Sequence, residues 1–401
     1  MEKGRTGKRY ILKMLAVVIA IAMMAFSLSS CGVLDVLGLG NLGSFGKDEQ
    51  TEQSVQDDQT GQTDASNQSE GSDQADQSDQ TDAGSAADGE ANGDQTANDT
   101  RTGSAVRTSD GKVRVAIAWS CNLDSYSFVS TVMSVREAGG EPVVLDMVRS
   151  TDLTYEGDML KGATDEHGCL TPEAARLMKE NTWHNTDAAE QMEGIGCIVF
   201  PGGYDISPAL YRNEQPWHGI EDEEYSAERD VSDYALMTYC LDQNIPTLAI
   251  CRGMQLLAIV SGAEMHQDIG QWFESEGVEY SGIHRDAEKL HYVPHSVEII
   301  DRHSLLRGMT GKTSLRGCPS WHHQAVKTVR DTPLRVTART VTDGIPIIEG
   351  LERTDKDWVV GVQYHPEVAV RYYVDEEENA NQFMDMDDAL VYFRAVIDQV
   401  P

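Results

Sequence analysis

Residues 246–255 read Pro-Thr-Leu-Ala-Ile-Cys-Arg-Gly-Met-Gln. The apolar run that ends at Ile250 predicts a buried strand, and the residues from Arg252 onward predict a helix. Cys251 therefore lies at the turn where a strand passes directly into a helix. This connection is typical of α/β folds, in which helices cover both faces of a parallel sheet.

The sequence before this stretch repeats the alternation of strand and helix. Apolar runs at 113–118, 142–146 and 197–200 predict three more buried strands. The helices expected between these runs include two whose N-caps are Thr171 and Ser226. This part of the chain is therefore predicted to form an open, mostly parallel sheet flanked by helices.

After residue 290 the pattern becomes rich in strands. We expect strands at 295–300, 334–338, 347–351 and 358–363, with an Asp343-Gly344 turn between the second and the third. These strands should add an antiparallel part to the sheet. A single domain over 112–401 accommodates all of these elements.

Residues 1–30 have the layout of a secretory signal. A basic segment precedes an apolar run from Leu15 to Leu28, which is too short to span a bilayer comfortably. The run closes on Leu-Ser-Ser-Cys-Gly at 28–32, which resembles a bacterial lipobox. This resemblance implies that Cys31 is lipidated and anchors the protein to the extracellular face of the cell membrane. The alternative is an uncleaved signal anchor in which Cys31 has no role.

Residues 31–111 are predicted to be a disordered acidic tether. The stretch 48–100 consists almost entirely of small and polar residues, with about fifteen acidic residues and no Lys or Arg. Such a composition buries too little apolar area to offset the entropy of ordering the chain. The alternative is an acidic tail that binds a ligand, which the irregular pattern does not favour.

The whole chain is strongly acidic. It carries 66 Asp and Glu against 32 Lys and Arg, a formal net charge of -34. Because phosphates would be repelled, we expect no nucleic-acid partner. The same charge favours zwitterionic or amine-bearing small molecules over polyanions as ligands.

Cys251 is a candidate nucleophile. The free N–H groups and the dipole of a helix that begins at Arg252 would stabilise a thiolate. The backbone N–H of Arg252 would also be placed to bind an oxyanion formed on attack. The alternative is a small apolar cysteine that only packs in the core.

Two other segments carry candidate chemistry. In Tyr-His-Pro-Glu at 364–367, the proline forces an extended backbone, so His365 and Glu367 should point the same way and the carboxylate could orient the imidazole. Pro-Gly-Gly at 201–203 ends a predicted strand at the edge where α/β folds bind ligands, and glycine N–H groups there can reach a ligand oxygen. Taken alone, a surface histidine and a simple turn are the more ordinary interpretations.

Four segments together carry a family resemblance. They are Phe-Pro-Gly-Gly-Tyr-Asp-Ile-Ser-Pro at 200–208, Ile-Cys-Arg-Gly-Met-Gln at 250–255, Ser-Trp-His-His-Gln-Ala at 320–325 and Gly-Val-Gln-Tyr-His-Pro-Glu at 361–367. In this order they resemble class I glutamine amidotransferase domains, and more narrowly the γ-glutamyl-γ-aminobutyrate hydrolase family (peptidase family C26). The resemblance implies a flavodoxin-like fold and a thiol hydrolase that cleaves the γ-glutamyl amide bond of a small substrate.

The resemblance also assigns roles to residues. It implies a triad in which Cys251 attacks, His365 shuttles protons and Glu367 orients His365. It implies an oxyanion hole from the backbones of Gly203 and Arg252, and no cofactor or metal. The substrate-binding residues that it implies are Gly202, Gln255, Ser320, His322, His323 and Gln324.

The sequence departs from the family pattern in three places. Pro319 stands where the family has Asn, and Gly262-Ala263 stands where it has two glycines. The segment 149–190 is a long insertion, and we expect its Trp183 and His184 near the substrate entrance. These departures leave the leaving group undetermined.

A second function remains open, a non-catalytic surface binding protein for γ-glutamyl compounds or amino acids. The Cys-His-Glu set favours the hydrolase, with water as the expected acceptor. The sequence leaves the oligomeric state open, a homodimer included. Cys121, Cys169 and Cys318 are expected in loops, where two of them could pair. The adjacent His322 and His323 predict no metal site, because sequence neighbours seldom face one ion and no nearby spacing supplies further ligands.

Overall fold

A computed structural model of the protein describes residues 106–213, 215–218 and 224–401. The predicted signal segment, Cys31 and the tether up to residue 105 lie outside these residues. The domain begins before the predicted boundary at 112, because Val106 is buried and its carbonyl accepts the N–H of Arg114 at 2.8 Å. The Arg107 guanidinium donates to the carbonyl of Val400 at 2.8 Å, which ties this first segment to the end of the chain.

The described residues form strands and helices in alternation. The strands are β1 (Arg114–Ile117), β2 (Glu141–Val144), β3 (Tyr155–Glu156), β4 (Met159–Leu160), β5 (Cys197–Phe200), β6 (Thr247–Ile250), β7 (Glu264–His266), β8 (Val293–Ile299), β9 (Ser314–Ser320), β10 (Ala325–Thr328), β11 (Leu334–Thr342), β12 (Ile345–Arg353) and β13 (Val359–Val362). The α-helices are α1 (Tyr126–Glu137), α2 (Pro172–Asn181), α3 (Ala188–Gln191), α4 (Ala227–Asp242), α5 (Arg252–Val260), α6 (Ile269–Ser275), α7 (Leu305–Thr310), α8 (Pro366–Val374) and α9 (Met386–Ile397).

One nine-stranded sheet organises the domain, in the order β2-β1-β5-β6-β13-β12-β11-β8-β9. Neighbours from β2 to β13 are parallel, and neighbours from β13 to β9 are antiparallel. This arrangement confirms the predicted α/β class with an added antiparallel part. Because β5, β6 and β13 are adjacent and parallel, the residues that follow Phe200, Ile250 and Val362 meet at one edge of the sheet.

The sheet separates two apolar cores. Ile198 and Ala249 pack into one core, whereas their neighbours Val199 and Ile250 pack into the other. Side chains along a strand point alternately to opposite faces, so a strand that is apolar throughout is buried on both sides. Helices cover each face, α4 and α5 on one and α1, α8 and α9 on the other.

Local capping signals place several helices correctly. The hydroxyl of Thr171 accepts the N–H of Ala174 at 3.4 Å, and that of Ser226 accepts the N–H of Arg229 at 3.3 Å. Both helices begin at the residue after the predicted cap, α2 with a proline in its first turn.

The prediction for Cys318 was wrong. This residue lies within β9, where it is buried opposite His295 of β8, because tertiary pairing overrides a Gly-Cys-Pro sequence that locally favours a turn. Cys121, Cys169 and Cys318 form no disulfide in the described residues. Among these residues, no helix has the length and apolar character needed to cross a membrane.

Candidate active site

Cys251 lies at the turn between β6 and α5. Its φ of 51° and ψ of -105° put a non-glycine residue in a strained conformation, which here lets the strand enter the helix without a connecting loop. The N–H of Cys251 donates to the carbonyl of Val362 in β13 at 2.8 Å. The residue is 5% exposed and lines a cavity of about 290 Å³ at the edge where the parallel strands end.

Close packing behind the turn depends on Gly253. A Cβ atom at this position would lie 2.5 Å from the carbonyl oxygen of Phe200 in β5. The absence of a side chain therefore lets the first turn of α5 pack directly on the neighbouring strand. This contact fixes the start of the helix beneath the Cys251 sulfur.

His365 and Glu367 follow β13 and face each other. The imidazole Nδ1 lies 2.7 Å from Oε1 of Glu367, so Nδ1–H donates to the carboxylate and Nε2 is left for the cavity side. His365 lines the same cavity as Cys251. The structure thus brings together the three residues expected to form a triad.

The environment of His365 favours its protonated form. Burial works against the imidazolium, but the Cys251 sulfur and the Glu367 carboxylate outweigh it and raise the pKa of His365 to about 10. The ring can therefore hold a proton at neutral pH.

Two side chains that the sequence did not indicate support this group. Ser127 in α1 donates its hydroxyl to Oε1 of Glu367 at 2.6 Å, and both side chains are buried. The amide of Gln363 donates to the Cys251 sulfur at 3.5 Å. No local signal marks Ser127, because its partner lies 240 positions away along the chain.

The turn after β5 is held by a buried arginine. Arg229 Nη2 donates to the carbonyls of Pro201 and Gly202 at 3.2 and 2.9 Å. Gly203 has a φ of +145°, and a Cβ there would lie 1.9 Å from Arg229 Nη1. Gly203 lines the cavity, so the turn presents backbone rather than side chain to it.

Arg252 does not line the cavity. Its guanidinium pairs with Asp230 at 2.6 Å and with Asp233, both buried in α4. The guanidinium therefore links α5 to α4 through these ion pairs. The N–H groups of Gly203 and Arg252 follow adjacent strands β5 and β6, on either side of the Cys251 turn.

The expected substrate-binding residues divide into two groups. Gln255, His322, His323 and Gln324 line the cavity. Ser320 does not line it, because its hydroxyl donates to the carbonyl of His284 at 2.8 Å in a fully buried position. Gly202 packs against the imidazole of His365, since a Cβ at position 202 would lie 2.6 Å from Cε1 of that ring.

His323 is held between two carboxylates. Its Nε2 lies 2.7 Å from Asp205, and its Nδ1 lies 3.0 Å from Asp268. Burial opposes the charged ring, but the two carboxylates outweigh it and raise the pKa of His323 to about 9. His323 thus fixes one wall of the cavity.

Trp183 and His184 of the insertion do not line the cavity. Trp183 stacks on His184 and donates its indole N–H to Asp242 at 2.6 Å, at the end of α4 far from Arg229. The expectation that these two residues stand near the substrate entrance was therefore wrong. The insertion packs along α4, whose first turn, not its last, holds the Pro-Gly-Gly turn.

The prediction from His322 and His323 that further metal ligands are lacking also needs correction. Within the described residues, His284, His322 and Glu349 bring one ligand atom each to within 4.8 Å of the others. The two added residues come from distant segments, which sequence spacing around His322 cannot reveal.

Comparisons with known proteins identify a family for the chain. The peptidase C26 family model matches residues 177–367, which include Cys251, His365 and Glu367. Protein NtpR of Enterococcus hirae is 37% identical over 183 residues, covering 45% of this chain and 70% of that protein. The chain belongs to the peptidase C26 family.

Two further proteins are similar at lower identity. Gamma-glutamyl-gamma-aminobutyrate hydrolase PuuD of Escherichia coli K12 is 30% identical over 177 residues, and the match covers 42% of this chain and 63% of that protein. A solved glutamine amidotransferase from Thermotoga maritima is 17% identical with a TM-score of 0.38, over 72% of this chain and 97% of that one. Membership of C26 places the protein among hydrolases and glutamine amidotransferase-like enzymes.

Proposed function

We propose that this protein is a thiol hydrolase of γ-glutamyl amide bonds, acting through a γ-glutamyl thioester on Cys251. The observation that carries the proposal is that Cys251 and His365 line one cavity, with Glu367 bonded to the far side of the imidazole. A protein that only binds its ligand needs no nucleophile beside a base.

The first half of the reaction forms the thioester. The Cys251 thiolate attacks the amide carbon, and the carbonyl oxygen becomes an oxyanion stabilised by the N–H groups of Gly203 and Arg252. The His365 imidazolium then gives its proton to the amide nitrogen. The C–N bond breaks, and the amine leaves while the γ-glutamyl group stays on sulfur.

The second half releases glutamate. Neutral His365 takes a proton from a water molecule, and the resulting hydroxide adds to the thioester carbon. When the C–S bond breaks, glutamate departs and the thiolate is restored beside the imidazolium. Glu367 keeps Nδ1 of His365 protonated throughout, so that Nε2 is the nitrogen that gains and loses the proton.

The charges in the cavity suit a γ-glutamyl group. Asp205 and Glu224 line it together with Arg285 and Lys289. The α carbon of a γ-glutamyl group bears an ammonium and a carboxylate, which can pair with side chains of both signs. Recognition of both charges would exclude simple amides and uncharged peptides.

Turnover assays on the full chain test the proposal. We expect the wild type to hydrolyse γ-glutamyl-γ-aminobutyrate or a γ-glutamyl peptide, and mass spectrometry to find a γ-glutamyl adduct on the Cys251 peptide. Cys251→Ala should abolish both, whereas Cys121→Ala, which removes an exposed cysteine, should abolish neither. Ligand binding without turnover in the wild type would instead support the surface binding protein.

We further propose that Cys31 carries a lipid that anchors the protein outside the cell membrane. The support is the lipobox-like sequence at 28–32 after a basic and apolar segment. Cys31→Ser should release the protein from membranes or leave it unprocessed. Unchanged incorporation of labelled fatty acid in that variant would contradict the anchor.

A further inference from the structure

A second cluster of titratable side chains lies beside the cavity. It is formed by His284 between α6 and β8, His322 after β9, His295 in β8 and Glu349 in β12. The four side chains are at least nine-tenths buried, with whole-residue exposures of 0%, 3%, 7% and 0%. The proposed reaction uses none of their ring nitrogens or carboxylate oxygens.

Three ligand atoms of this cluster have the spacing of a tetrahedral metal site. His284 Nδ1 lies 3.1 Å from His322 Nε2 and 3.3 Å from Glu349 Oε1, and the latter two atoms are 3.8 Å apart. Ligands at about 2.0–2.1 Å from Zn²⁺ in a tetrahedron are separated by roughly 3.4 Å. An ion could therefore bind all three atoms with small adjustments.

Hydrogen bonds fix the orientation of His322. Its Nδ1 lies 2.9 Å from the carbonyl oxygen of Gln324, which can only accept, so Nδ1 carries the proton. The lone pair of His322 is therefore on Nε2, the nitrogen that faces the cluster.

His295 is oriented in the same way. Its Nδ1 lies 3.2 Å from the hydroxyl of Thr340, whose own hydrogen goes to the carbonyl of Ser296 at 2.8 Å. Nδ1 of His295 must then donate, which leaves a lone pair on Nε2, 3.9 Å from Oε2 of Glu349. Backbone or side-chain oxygens bonded to the outer nitrogen are the usual second shell of metal-binding histidines.

Hydrogen-bond acceptors therefore face one another inside this cluster. Two imidazole lone pairs face a buried carboxylate, and among the described residues both oxygens of Glu349 and Nε2 of His295 have no hydrogen-bond donor. A proton on His284 Nδ1 could serve one of these acceptors, but not all of them. A divalent cation would satisfy the lone pair of His322 Nε2 and the Glu349 carboxylate together.

We propose that His284 Nδ1, His322 Nε2 and Glu349 Oε1 bind a Zn²⁺ ion. Two imidazole donors and one carboxylate donor suit zinc, and all three ligand residues are buried. His284 Nε2 then donates to the hydroxyl of Thr342 at 2.8 Å.

The ion would hold the loop that forms one wall of the cavity. His322 and its neighbours Trp321 and Gln324 line that cavity. The carbonyl of His284 accepts the hydroxyl of Ser320 at 2.8 Å and the N–H of His322 at 3.0 Å. Metal at this point would bond three segments of the antiparallel part into one unit.

Metal analysis of the full chain tests the proposal. Protein purified without an affinity tag of histidines and without chelators should contain about one Zn²⁺ per chain by plasma mass spectrometry. His284→Gln and Glu349→Gln should each lower that content by about tenfold or more. His184→Gln removes an exposed histidine outside the cluster and should retain the metal, as should Cys251→Ala.

A spectroscopic test uses the wild type and therefore does not depend on whether the variants fold. Wild type refolded with Co²⁺ should show the intense visible absorption of a tetrahedral cobalt centre, which Zn²⁺ then displaces. Folded wild type that takes up neither ion would overturn the proposal and show that protons hold the cluster. Metal retained in both His284→Gln and Glu349→Gln would also overturn it.

Discussion

The hydroxyl of Ser127 lies 2.6 Å from Oε1 of Glu367, the same oxygen that lies 2.7 Å from Nδ1 of His365. One carboxylate oxygen thus accepts from α1 and from the imidazole at once. Because Glu367 is fully buried and its Oε2 has no donor among the described residues, Ser127 is its second fixed contact. In the proposed mechanism, Ser127 is therefore a positioning residue that acts through Glu367 on His365.

Ser127→Ala should lower kcat about ten- to a hundredfold. The change removes a hydrogen bond to a charged group, worth roughly 1.5–3 kcal/mol, and lets the carboxylate and the imidazole move. KM should stay within about twofold, because Ser127 acts on the reacting histidine and not on substrate charge. Steady-state kinetics on a γ-glutamyl amide measure both constants.

Ser130→Ala is the matched control. Ser130 is buried in the same helix and donates only to the carbonyl of Tyr126 at 2.6 Å. It should leave kcat near the wild-type value. Equal losses of kcat in the two variants would show that α1 matters only as a packing element.

Because folding raises the pKa of His365, the contribution of this residue to the free energy of unfolding depends on pH. The ordinary pKa is 6.5, and Cys251 and Glu367 raise it to about 10 against the effect of burial. The folded protein therefore holds this proton more tightly than the unfolded chain. The stabilisation is complete below about pH 6.5 and is lost as the pH rises through about 10.

Glu367→Gln should therefore destabilise the protein more at pH 6 than at pH 10. Breaking a buried ion pair costs about 3–5 kcal/mol while the imidazole is charged, and less once it is neutral. Urea unfolding of both proteins at pH 6, 8 and 10 gives the difference in the free energy of unfolding between Glu367→Gln and wild type. Glu352→Gln, which breaks the pair between buried Glu352 and the partly exposed Arg335 instead, should cost the same at all three pH values.

The parts of the site that follow strand ends could be predicted. Residues after β5, β6 and β13 must share an edge once the strands are parallel and adjacent, and each of these strands is a short apolar run ended by Pro, Cys or Gln. The sequence alone is enough to indicate these three apolar runs. No local pattern indicates that β13 pairs in parallel with β6, and the strand predicted at 358–363 was expected in the antiparallel part of the sheet.

The supporting contacts could not be predicted, because each joins distant segments through one side chain. Ser127 resembles any serine in the first turn of a helix, and Glu349 resembles any acidic residue in a strand. Cys318 lies in a sequence that favours a turn, and only its pairing with β8 makes it a strand residue. Long-range pairing, not propensity, decides these three positions.

Arg252→Met should cost stability while leaving its backbone N–H in place. The change leaves Asp230, which is 0% exposed, without its cation, and leaves Asp233, which is 1% exposed, with Arg229 alone. An uncompensated buried carboxylate costs about 3–5 kcal/mol, so the midpoint of urea unfolding should fall markedly. Arg176→Met breaks an exposed pair and should not move the midpoint. A small effect at Arg252 would mean that Arg229 alone neutralises both acids.

Gly203→Ala tests the turn proposed to stabilise the oxyanion. Its φ of +145° disfavours any side chain, and the new Cβ would lie 1.9 Å from Arg229 Nη1. The peptide must therefore shift, and loss of one oxyanion donor typically lowers kcat by about 10²–10³-fold. Alkylation of Cys251 by iodoacetamide needs no oxyanion and should keep its wild-type rate. Gly162→Ala, with φ +72° and open space around it, controls for backbone strain alone and should leave kcat unchanged. If Gly203→Ala folds and its kcat is within about twofold of the wild-type value, groups other than the Gly203 turn stabilise the oxyanion.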